Sequence, residues 1–130
     1  MKKIILATIP STGTNFFKKV FEDHGLEVKA LHLTDQGLMR VLDMVMDDWT
    51  LVTTHRHISK VKESWRNRGR NDSLAEYLEN WYTIQSLKPF VVSVDSANKD
   101  TMLWDLSVEL GVPLKADWTP VPSRWKEAVR

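Results

Sequence analysis

The sequence predicts a three-layer α/β/α domain on a parallel sheet of about four strands in the order 2-3-1-4. Three observations carry that expectation. Short apolar or β-branched runs of strand length recur along the chain. Segments with helical spacing of apolar residues separate them. The first run passes through a hydroxyl-rich loop around one glycine straight into a helical pattern. Strands alternating with helices imply parallel pairing, with helices on both faces of the sheet.

The elements follow in order. The first strand spans about Lys3 to Ile9. A helix follows over Thr14 to His24, with Phe16, Phe17, Val20 and Phe21 on its apolar side and Gly25 as the residue that ends it. Leu26 to His32 alternates as a second strand. Asp35 is the expected cap of a second helix carrying Leu38, Val41, Leu42 and Val45. Trp49 to Thr54 is the third strand, and Ser59 to Asn67 a third helix. Ser73 and Glu76 form a capping-box pattern for a fourth helix, whose stripe is Leu74, Tyr77, Leu78, Trp81 and Ile84. Phe90 to Val94 is the last strand. Asp100 to Leu110 is the last helix, closed by Gly111 and Pro113. Residues 115–130 read as an extended tail with Trp118, Pro120, Pro122 and Trp125, a surface for a protein partner or a second copy of the chain.

Composition narrows the function classes. The 130 residues suffice for one domain, and a formal net charge of +1 means that any anion site must come from local clustering. With no cysteine, disulfides, thiolate metal sites and a cysteine nucleophile are excluded, which fits a cytoplasmic protein. No stretch approaches the roughly 18 apolar residues of a membrane span. No metal is expected in the chemistry.

Two stretches carry that chemistry. In Ser11-Thr12-Gly13-Thr14-Asn15-Phe16, a strand, tight loop and helix start bring amide N–H groups to one spot, where the helix dipole favours negative charge. The hydroxyls of Thr12 and Thr14 and the amide of Asn15 are further donors. The loop is not a Walker A motif, because no glycine-lysine-hydroxyl string occurs. That argues against a nucleotide kinase. In the second stretch, Arg56 ends the third strand and Ser64 lies eight residues on, along the next helix. Arginine offers a planar fork for phosphate, and a serine hydroxyl can complete its shell. From Thr54 to Arg70, six basic residues face one acidic residue, Glu63, so this is where the positive charge gathers. The aromatic interleaving of a nucleic-acid surface is missing. Ligands of parallel sheets sit beyond the C-terminal strand ends, which gathers Gly13, His32, Arg56 and Asp95 at one crevice.

Pro10 to Phe16 resembles the 5′-phosphosulfate loop of sulfotransferases, usually Pro-Lys/Arg-Ser-Gly-Thr-Thr/Asn-aromatic. Thr12 to Phe16 fit this pattern, and Ser11 stands where that family has a basic residue. Arg56 and Ser64 match the family's strand-end arginine and the serine eight residues later, with His57 and Ile58 in place of Asn/Asp-Pro. Val94-Asp95 and the Leu-Gly-x-Pro pattern at Leu110 to Pro113 are similar to its late strand and helix end. The resemblance covers the chain to about Leu114. It implies a P-loop-like core, in a compact version of bacterial or phage type. It also implies that the ligand is 3′-phosphoadenosine 5′-phosphosulfate, or adenosine 3′,5′-bisphosphate. Ser11, Thr12, Gly13, Thr14, Asn15 and Phe16 would hold the 5′ group, with Phe16 against the adenine, and Arg56 with Ser64 the 3′-phosphate. His32 would be the base that deprotonates an acceptor of unspecified kind, with His55 and His57 as rivals. The alternative is a non-catalytic phosphate-binding or interaction scaffold that keeps the fold. Ser11 and the Trp-containing tail motivate it, and the short chain and the absence of a late Arg-Lys-Gly segment count against a full enzyme.

Overall fold

The fold was examined in a computed structural model that describes residues 2–70, 73–95 and 99–115. The elements run β1 (Lys3–Thr8), α1 (Thr14–Asp23), β2 (Glu27–His32), α2 (Asp35–Met46), β3 (Thr50–His55), α3 (Ile58–Asn67), α4 (Leu74–Gln85), β4 (Phe90–Ser93), α5 (Lys99–Met102) and α6 (Trp104–Leu110). The four strands form one sheet, all parallel, between two helical layers. No helix among the described residues is long and apolar enough to cross a membrane. Trp118 to Trp125 of the expected tail lie outside the described residues.

The strand order is β2-β1-β3-β4, which corrects the expected 2-3-1-4. The interior pair is the expected one, and what changes is which edge strand joins which interior strand. β1 and β3 are buried on both faces, whereas β2 and β4 carry half-exposed residues. Composition thus marks interior against edge but not the pairing. β2 and β4 each lie beside the strand that precedes them in the chain, as consecutive strands usually do, whereas β3 crosses to the other side of β1. Thr8 therefore pairs with His32, and His55 with Ser93.

Alternation along β1 splits the core in two. Ile4 and Leu6 face one layer with Phe17, Phe21, Val92, Leu103 and Leu106. Ile5 and Ala7 face the other with Val41, Val61, Trp65, Tyr77 and Ile84. A side chain such as Phe17, with no exposed surface, contributes about 1.5–3 kcal/mol by leaving water.

Two caps differ from expectation. Thr34, not Asp35, caps α2, accepting from the Gly37 amide at 3.0 Å. Ser73 precedes α4 without a side-chain cap. Glu76 does not close the box; its carboxylate accepts instead from the Asp35 amide at 3.1 Å. Its partner lies on another element, which local spacing cannot reveal. The expected last helix is broken at Leu103 into α5 and α6.

Candidate anion site

The loop after β1 turns twice through the left-handed region, with φ 73° at Ser11 and 94° at Gly13. Such alternation points successive amides into a concave nest. A non-glycine residue there costs roughly 1–2 kcal/mol, so Ser11 must be held by its surroundings. It is. The Trp65 indole donates to the Pro10 carbonyl at 3.0 Å, and an Arg56 Nη donates to the Ser11 carbonyl at 2.9 Å. The Ser64 hydroxyl donates to Ser11 Oγ at 3.2 Å. Gly13 is required twice over: its φ is left-handed, and a Cβ there would lie 2.9 Å from Val94 Cγ1.

The threonine hydroxyls face inward. Thr12, 2% exposed, donates to the Ile9 carbonyl and meets the Thr54 hydroxyl, which must then be the donor because each hydroxyl has one proton. Thr14 donates to the Thr8 hydroxyl at 2.8 Å. These bonds build the loop from its side chains. The first helical bond runs from the Phe17 amide to the Gly13 carbonyl. The amides of Gly13, Thr14 and Asn15 precede it, with no partner among the described residues. Asn15 is exposed at the helix start. Phe16 packs against the first core, edge-on to Phe17 at 5.1 Å.

Arg56 and Ser64 thus meet the loop itself, at Ser11. Arg56 Nε is buried and has no hydrogen-bond partner among the described residues. A buried N–H left unmatched costs free energy that an acceptor would recover. Asp95, after β4, accepts from the His57 amide at 3.0 Å and pairs with Lys60 at 3.5 Å. Burial alone would raise its pKa. The His57 amide, Lys60 and the Arg56 charge outweigh that and hold it below the ordinary carboxylate value. His57 caps α3, its ring nitrogen accepting from the Ser59 amide at 3.2 Å. The His55 ring lies 6.0 Å from that of Trp81.

His32 stands across the sheet from Thr8, where the loop begins. Its pKa is lowered, first by desolvation and then by the charges of Arg70 and Arg68, so the neutral, proton-accepting form is favoured near pH 7. Arg68 feels both Arg70 and Arg56, which places three guanidinium groups and His32 in one electrostatic neighbourhood. Arg70 is anchored, with its guanidinium 4.8 Å from the Trp65 ring centroid and 3.1 Å from the Tyr77 hydroxyl. Two further residues fix the strand end that carries His32. Gly37 passes so close that a Cβ would lie 1.9 Å from the His32 carbonyl oxygen. Asn80, only 6% exposed, donates to the Leu33 carbonyl at 2.9 Å and to Asp35 Oδ1 at 3.0 Å. Sequence reasoning missed Asn80; its signal was one amide inside the apolar stripe of α4.

At the C-terminal strand ends, Arg56 and Ser64 therefore meet the loop at Ser11, Asp95 meets His57 and Lys60 beside Arg56, and His32 stands on the neighbouring strand. Phe16 belongs to the core beside the loop. No family model, no curated protein and no solved structure matches the chain.

Proposed function

We propose that the chain is a sulfotransferase-like protein that binds 3′-phosphoadenosine 5′-phosphosulfate and transfers its sulfuryl group. The observation that carries the reading is the meeting of loop and arginine at Ser11, 2.9 Å from Arg56, with Ser64 on the same residue. The amides of Gly13, Thr14 and Asn15 hold the 5′ group. Arg56 and Ser64 hold the 3′-phosphate, with the Arg56 Nε proton as one of the bonds formed. Transfer is then a matter of position and charge. His32 takes the proton of the acceptor's hydroxyl or amine, the acceptor atom bonds to sulfur, and the sulfur–oxygen bond to the 5′-phosphate breaks. The departing bisphosphate keeps the electron pair, stabilised by the guanidinium groups.

Calorimetric titration with adenosine 3′,5′-bisphosphate tests this. Wild type is expected to bind, and Arg56→Ala to lose about 10–100-fold in affinity, the weight of a charged hydrogen bond. Absence of binding, or equal binding by both proteins, defeats the assignment. Transfer of labelled sulfate, lost in His32→Ala, tests the catalytic half.

A further inference from the structure

We infer that the pocket between α3 and α4 is a second ligand subsite, continuous with the anion site, that takes a flat aromatic ring. The cavity is about 340 Å³ and shares Thr12 and Arg56 with the loop region. That is the scale of small-molecule sites, which are mainly apolar with a few placed polar groups. Ile9, Val61 and Leu78 supply the apolar walls. Trp81 is fixed by its indole N–H, which donates to the Thr54 carbonyl at 3.0 Å. Its polar atom is thus engaged within the protein, leaving the ring to the pocket. Tyr82, 68% exposed, stands edge-on to Trp81 at 5.5 Å on the lining, and Ile58 beside it is 37% exposed.

Two features separate this cavity from a packing defect. Arg56, which donates to the Ser11 carbonyl of the loop, also lines it, so the cavity adjoins the anion site. Planar groups also recur around it: an indole, a phenol, the imidazoles of His55 and His57, and a guanidinium. Such planes favour offset stacking with another flat π-system over contact with a flexible aliphatic chain. Phe16 packs with the core on the opposite face of the sheet, so it does not compete for this role. The inference deepens the proposed function and rests on it for the anion, giving the planar part of a bound molecule a place beside Arg56.

The test compares inorganic phosphate, 2-naphthyl phosphate and 2-naphthol by titration calorimetry, on wild type and on two variants. Leu78→Trp fills the pocket and Trp81→Ala removes its wall; amide spectra confirm that each is folded. Wild type is expected to bind 2-naphthyl phosphate about tenfold tighter than phosphate. Both variants should erase that advantage while binding phosphate as wild type does. No advantage in wild type, or an advantage that survives Leu78→Trp, overturns the subsite and leaves the anion site standing. If neither phosphate binds, the anion reading fails, and 2-naphthol decides alone: binding abolished by Leu78→Trp supports the subsite, and no binding overturns it. Competition separates two sources of the ring. Adenosine 3′,5′-bisphosphate that displaces 2-naphthol marks the nucleobase as occupant; Leu78→Trp-sensitive 2-naphthol binding in its presence marks a separate aromatic acceptor.

Discussion

The loops after β1 and β2 leave neighbouring strands side by side, yet they are built in opposite ways. The first is a backbone device: its side chains turn inward to Ile9, Thr54 and Thr8, and its amides face out. The second is a side-chain device. The last residue of β2 before it presents one imidazole, while Gly37 and Asn80 hold the backbone around that strand end. On the proposed function the two regions need different rigidity: an anion nest needs a fixed backbone, and distant elements clamp its carbonyls, whereas a base needs a fixed root.

Paired glycine substitutions break the comparison most sharply. In Gly37→Ala the new methyl meets backbone, the His32 carbonyl at 1.9 Å, which cannot give way as a side chain can. A loss of about 3 kcal/mol or more in urea unfolding is expected. In Gly13→Ala the new methyl meets a side chain, Val94 Cγ1 at 2.9 Å, which has to shift, and left-handed strain adds about 1–2 kcal/mol. That variant should lose anion binding more than stability. If the two costs are equal, the rigidity argument fails.

Asn80→Ala comes next. It leaves the Leu33 carbonyl without its buried donor, at about 1–3 kcal/mol. If Asn80 positions His32, the variant also changes the pH profile of transfer while binding adenosine 3′,5′-bisphosphate as wild type does. An unchanged profile limits Asn80 to stability.

The smallest effect is on His32 itself. Its folded pKa lies below the ordinary 6.5, so the unfolded chain binds this proton more tightly. Stability from this group is full above 6.5 and is lost as pH falls through the folded value. The residue keeps over a third of its surface exposed although its ring is partly desolvated, so screening keeps the stability change slight. Histidine NMR titration is expected to give a midpoint below 6.5, raised in Arg70→Ala. A midpoint at or above 6.5 in wild type removes the electrostatic link to the arginines.

What the sequence made legible divides along physical lines. Local patterns located every strand and the four long helices, because apolar periodicity is written in neighbouring residues. The positions of the loop Ser11 to Asn15 and of Arg56 beyond strand ends, and of Ser64 on the following helix, were legible too, because local spacing sets them. Partners far along the chain were not. Nothing near Glu76 indicates Asp35, and nothing near Asn80 indicates Leu33. The edge pairing of β2 and β4 also hid, since half-exposed strands read alike on either side of the sheet. The inward turn of Thr12 and Thr14 depended on Thr54 and Thr8, which the fold alone brings near.

Amide chemical-shift mapping on titration with adenosine 3′,5′-bisphosphate tests whether loop and arginine form one anion site. The largest shifts are expected at the amides of Gly13, Thr14 and Asn15 and at the Arg56 Nε–H, saturating together with one dissociation constant. Shifts that leave Gly13 and Arg56 unmoved, or that move them with different constants, would contradict it.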